Sequence, residues 1–257
     1  MSEPIPVLAA LDLTGLPKSH SLRPVLQAAL AARRGAEPGP FAGSPGALWD
    51  AAHFGLDRSA LFRDVDAETQ QGILERCGRG LLEEAFFIER AGLVYCAKMI
   101  LLAETTDERM LYALFAGDEA VHLDRVARFL PDPPTELTAA LHDILKDEAR
   151  HHGSGLVLFN QAAPTAAIRD LIVEVLVRFL GMVQAGPQAT VAAVDEALGG
   201  LSRARRVGLF EDLGAEDHAR GRLGLLRTLM GKAEAAPIVH ALEARGAFRP
   251  LRPEECA

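Results

Sequence analysis

Along most of the chain apolar residues recur at the three-to-four spacing of one helix face, and the strict alternation of a half-buried strand is nearly absent. The spacing predicts a short helix from Ser21 to Arg34 and a long one from Ala67 to about Ala103. After a turn at residues 104–107, a second long helix runs to about Leu130, where Pro131, Pro133 and Pro134 stop it because proline cannot continue the backbone ladder. A third helix fits from near Thr135 to about Asn160, and Pro164 opens a fourth that ends by Gly186. Beyond it, helices fit 188–198, about 202–230 (weakened by Gly208 and Gly214) and 236–245. Residues 1–20 read as irregular, and 35–46, with four Gly and three Pro, as a linker or ordered loop. Four helices in 67–186 joined by short connections make an all-α four-helix bundle. Residues 187–257 then supply extra C-terminal helices packed on the bundle, and residues 1–66 an N-terminal extension placed as a lid.

Composition narrows the setting. The chain has 257 residues, 49% hydrophobic and only 5% aromatic, so its core is built from Leu, Ala and Val. A net charge of −8 argues against nucleic acid as a partner, since counterion release needs clustered Lys and Arg. The one dense basic cluster, Arg203, Arg205 and Arg206, reads as a solvated helix start. Cys77, Cys96 and Cys256 form no C-x-x-C pair, which points to neither a zinc site nor a disulfide framework. The start of the chain lacks a basic signal-peptide pattern and no long apolar run appears, so the expected location is cytoplasmic, without a membrane partner.

Chemistry concentrates in two five-residue strings. Asp118-Glu119-Ala120-Val121-His122 falls on the second long helix and Asp147-Glu148-Ala149-Arg150-His151 on the third. A Glu and a His three residues apart share a helix face, so both reach one ion from one side. A single E-x-x-H arises readily by chance; the doubled D-E-A-x-H does not. Carboxylate with imidazole suits iron, manganese or zinc, and inward E-x-x-H pairs are the di-metal motif of helical bundles. Glu89 interrupts the apolar stripe of Leu82, Phe86, Leu93, Cys96 and Ile100. Glu174 sits inside Leu171–Val177, either as a ligand or as an i,i+4 partner of Arg178. Counted from the turns at about 1.5 Å per residue, these groups fall within one helical turn of a common height. Buried carboxylates there need a cation beside them. Asp118 and Asp147 are candidates to orient the two imidazoles if they turn inward. Tyr112 and Phe115, two turns and one turn before Glu119, read as core, and Asp50-x-x-His53 as structural.

The stretch Glu84-Ala85-Phe86-Phe87-Ile88-Glu89-Arg90 followed by Asp118–His122 resembles one half of a ferritin-like di-iron carboxylate protein. Within that superfamily residues 67–186 are most similar to the tRNA-modifying non-haem di-iron hydroxylases, with a looser likeness to arylamine N-oxygenases. The resemblance implies two iron ions that activate dioxygen, manganese or mixed iron–manganese using the same ligands. It implies Glu119 and Glu148 as bridging carboxylates, His122 and His151 as nitrogen ligands, and Glu89 and Glu174 as terminal carboxylates. The family order is Glu, E-x-x-H, Glu, E-x-x-H, whereas here it reads Glu, E-x-x-H, E-x-x-H, Glu. A rival assignment treats the third helix as a crossover and takes Glu211 and His218 from 202–230, with Ala215 standing where a Glu belongs. The palindromic order is the preferred reading. The function expected is a di-iron oxygenase or oxidase, a monooxygenase among others, acting on a small organic substrate with an external electron donor. The alternative is a ferritin-like iron-handling or metal-binding protein that oxidises no substrate.

Overall fold

The computed structural model describes residues 19, 22–33, 48–130, 137, 140–148, 151, 165–231 and 235–257. Among these residues the regular elements are all helical, as the periodicity predicts. The readings of 1–20 as irregular, residue 19 apart, and of 35–46 as a linker lie outside the described residues, as do both ends of the third bundle helix and Pro164.

Helix α1 (Leu22–Arg33) packs on the second long helix. Three short turns follow, α2 (Ala51–Phe54), a 3₁₀ turn (Leu56–Arg58) and α3 (Ala60–Arg63). Helix α4 (Ala67–Leu102) begins where Asp66 caps it, its carboxylate accepting from Thr69 N at 2.8 Å. Helix α5 (Thr106–Phe129) opens with a capping box: Thr105 accepts from Glu108 N, and the Glu108 carboxylate accepts from Thr105 N at 3.0 Å. The three-residue turn between them folds α5 back against α4, and this pair is the principal helix–helix packing of the molecule. Residues 140–148 form α6, whose approach through Leu137, Ala140 and Leu141 packs on Leu82 of α4 and Phe129 of α5.

Helix α7 (Ala166–Gln184) is capped by Thr165 and buries Val173, Leu180 and Val183. Its principal partners are α10 (Ala215–Leu229) and α11 (Ala236–Ala244), through Leu223, Ile238 and Leu242. Its other face carries Ile168, Leu171, Val175 and Met182 to the surface. A second core joins Leu56 and Phe62 of the short turns to Ile73 and Cys77 of α4, to Val191 and Val194 of α8 (Gln188–Ala197), and to Leu209 and Phe210 of α9 (Arg203–Asp212). Leu56 and Phe62, within the segment expected to form a lid, are thus core at the start of α4. A last turn, α12 (Pro253–Cys256), closes against α9.

The single helix expected over 202–230 is two helices. Gly214 adopts φ +63°, a left-handed conformation that ends α9 and starts α10 in a new direction. Arg58 locks the break by donating to the Leu213 carbonyl at 2.8 Å.

Candidate metal centre

The α4–α5 hairpin and α6 carry the chemistry. Glu89 lies midway along α4, Glu119 and His122 project from one face of α5, and Glu148 projects from α6. One donor atom from each of these four side chains lies within 4.8 Å of every other, close enough to bind one metal ion. Glu89, Glu119 and His122 are 6%, 7% and 1% exposed, whereas the Glu148 side chain is 41% exposed and forms the open side of the group.

The geometry is two-fold in character. His122 Nδ1 faces Glu89 Oε2 and Glu148 Oε1, each at 3.3 Å. His151 Nδ1 faces Glu119 Oε1 at 3.2 Å and the same Glu148 Oε1 at 3.4 Å. Glu148 Oε1 therefore stands between two imidazoles whose ring centres are 6.3 Å apart. The far nitrogens are held by aspartates, and the holding is crossed: His122 Nε2 lies 2.9 Å from Asp147 Oδ2, and His151 Nε2 lies 3.4 Å from Asp118 Oδ2. Each D-E-A-x-H string lends its Asp to the other string's His. A carboxylate accepting from Nε2–H selects the tautomer whose Nδ1 lone pair is available, and fixes the ring plane.

His122 Nδ1, His151 Nδ1 and Glu148 Oε1 are buried atoms with no hydrogen-bond partner. Their neighbours at 3.2–3.4 Å are set as fellow donors to a common centre would be. Two donors each about 2.1 Å from one ion in tetrahedral or octahedral geometry sit about 3.0–3.4 Å apart. Three such atoms converging in one place forfeit solvation, which a metal ion, or a proton on an imidazole, compensates. The residues present fit a metal.

Crowded carboxylates also shift one another. Burial, then contact with Glu89 and the charges of Glu148 and Glu89, pushes the Glu119 carboxyl up to about 8. For His122 burial acts to lower the pKa, but contacts with Glu148, Glu89 and Asp147 outweigh it and hold the imidazolium up to about 10. Glu148 is lowered, chiefly by its contact with His122. Without a metal ion, protons thus offset part of the carboxylate charge. The Cys96 thiol, buried next to this group, is pushed up to about 11 by burial and by the charges of Glu119, Glu148 and Asp118. Among the described residues the convergent donors are carboxylate and imidazole, with Cys96 not one of them.

One wall is apolar. The Phe115 ring lies 4.3 Å from the His151 ring, and Tyr112 stacks edge-on against Phe115 at 6.4 Å. Both are buried in a cluster with Cys96 and Ala103, the core role their sequence positions indicate. On α4, the Glu119 carboxylate lies over Gly92. His53 follows its structural reading, its backbone N–H donating to the Asp50 carboxylate that caps α2.

Glu174, expected as the fourth carboxylate, is a correction. Its side chain is 56% exposed and pairs with Arg245 at 2.5 Å, because α7 seats its buried face on α10 and α11 and turns Glu174 toward the end of α11. Arg178 is not the partner in that pair, as the i,i+4 alternative would have it. The rival pair Glu211 and His218 is exposed on α9 and α10. Five of the six expected residues thus come together, Glu89, Glu119, His122, Glu148 and His151, and Glu174 stays apart.

No protein-family model, no curated protein and no solved structure matches the chain.

Proposed function

We propose that the chain binds two iron ions in this group and uses them with dioxygen to oxidise a small organic substrate, taking electrons from an external donor. The observation that carries the reading is the pair of imidazoles, each with Nε2 on an aspartate and Nδ1 buried, unbonded and facing the oxygen of Glu148. Two such half-sites sharing one carboxylate oxygen suit two ions better than one. Three Glu carboxylates leave two divalent ions with one net positive charge, and Asp118 and Asp147 lie just beyond the imidazoles to offset it. Hard oxygen donors with imidazole and no thiolate suit iron or manganese.

Iron held there supplies the one-electron chemistry that dioxygen reduction and substrate oxidation require. The chain's own residues do the rest. Asp147 and Asp118 orient the imidazoles, Glu119 and Glu148 draw the two halves together, and Phe115, Tyr112 and Cys96 keep water from one wall. Glu148, the exposed member, marks the side from which a substrate approaches.

The test is dioxygen uptake by the Fe(II)-loaded chain with a chemical reductant and a panel of aromatic amines and small hydroxylatable metabolites. The reading expects uptake coupled to an oxidised organic product, both lost in His122→Ala. Uptake that ends wholly in ferric oxide supports the iron-handling alternative, and no uptake contradicts both.

A further inference from the structure

We infer that Gly92 is a positioning residue for this site: its missing side chain makes the slot on α4 that holds the Glu119 carboxylate within reach of both Glu89 and His151. The inference rests on the metal reading and deepens it. Gly92 lies three residues after Glu89, on the same side of α4 and in the interior of a 36-residue helix, where glycine weakens the element. No turn or positive φ asks for it there. What occupies its face is the Glu119 carboxylate. A Cβ built on Gly92 would stand 2.6 Å from Glu119 Oε2, 2.7 Å from Cδ and 2.9 Å from Oε1. All three separations are well inside van der Waals contact, so an alanine there moves the carboxylate.

Glu119 is constrained on its other sides. Its Oε1 faces His151 Nδ1 at 3.2 Å, it touches the Glu89 carboxylate, and the side chain is buried. From α5 it spans to Glu89 on α4 and to His151, the reach a bridging carboxylate needs. A methyl group on α4 pushes it away from Glu89. The displaced atoms are the far end of a flexible side chain, so the helix itself tolerates the change. Gly92→Ala therefore separates fold from site: the helix gains and the donor set loses.

Two measurements on the full chain decide it. In the first, Co²⁺ alone is titrated into metal-free wild type and Gly92→Ala and followed by visible absorption. The expected result is a folded variant whose Co²⁺ affinity falls by about 10–100-fold, the range seen when a ligand loses its support. Unchanged affinity and stoichiometry overturn the inference. In the second, melting temperatures are compared without metal for wild type, Gly92→Ala, Glu119→Ala and the double variant. Alanine at 92 is expected to raise the melting temperature by about 2–4 °C when Glu119 is absent, and by less when it is present. A Gly92→Ala chain that folds only together with Glu119→Ala also supports the slot; equal shifts in both backgrounds, or misfolding in both, overturn it. Wild type that takes up no Co²⁺ contradicts the metal reading, whereas additive melting shifts contradict the Gly92–Glu119 contact, so the two failures are separate observations.

Discussion

At the scale of single residues the site works by exchange between two short strings. Asp147 serves His122 and Asp118 serves His151, so neither imidazole is positioned by its own helix alone. Replacing either aspartate by asparagine keeps the shape and removes the charge. Asp147→Asn and Asp118→Asn are each expected to weaken metal binding by about 10–100-fold with the helical content intact, measured by competition against a chromophoric chelator. Protons should trade against metal at the same atoms. Glu119, with its pKa raised to about 8, and His122, raised to about 10, are both protonated at neutral pH in the metal-free chain. Both folded values lie above the unfolded ones, so the folded chain binds extra protons. The stability these groups contribute is fully present below the unfolded values and is lost as pH rises through the folded ones. Metal-free protein should therefore melt at falling temperature from about pH 5 to about pH 10, and metal affinity should rise over the same range as proton competition fades. Melting temperatures that climb with pH in a chelator-treated sample would contradict this. The strings were legible because a Glu and a His at i and i+3 share a face whatever surrounds the helix. The crossing of their aspartates was not, since which helix each Asp meets is a tertiary fact.

Helices carry these residues to a common height, and their ends are where the sequence speaks most clearly. Thr105 and Glu108 close the turn that sets the level of α5 against α4, and hence of Glu119 and His122 against Glu89. Thr105→Ala should cost about 1 kcal/mol, a drop in melting temperature of about 2–4 °C, checked by thermal denaturation. Start and stop residues also made α4, α5, α7, α8 and α11 readable to within a residue or two. Two elements escaped. The break between α9 and α10 turns on Gly214, one of four glycines (208, 214, 221 and 224) in an otherwise continuous helical pattern, and Arg58 from far upstream marks it as the true corner. The turns over 51–63 are too short to show a period, and their burial depends on α8 and α9. Gly92 left a signal that periodicity does not weigh: a helix breaker tolerated in mid-helix, one turn past a buried carboxylate.

For the molecule as a whole, Glu174 is the instructive case. Helix α7 is apolar on two faces, so the sequence could not say which face is core, nor that Arg245, 71 residues on, would draw Glu174 outward. Glu174→Gln is expected to leave metal content unchanged and to cost at most about 1 kcal/mol, as exposed ion pairs do; loss of bound metal in this variant would contradict the placement. Among the described residues no helix is long and apolar enough to cross a membrane, and the core under the short turns and the cluster of Leu82 with Phe129 both draw on α4. The central claim is that buried carboxylates and imidazoles on α4, α5 and α6 face inward to hold metal. Elemental analysis of the chain after anaerobic Fe(II) loading and desalting tests it most directly. About two irons per chain in wild type, falling to a small residue in Glu119→Ala, is the predicted result. Wild type that retains no more iron than that variant would contradict it.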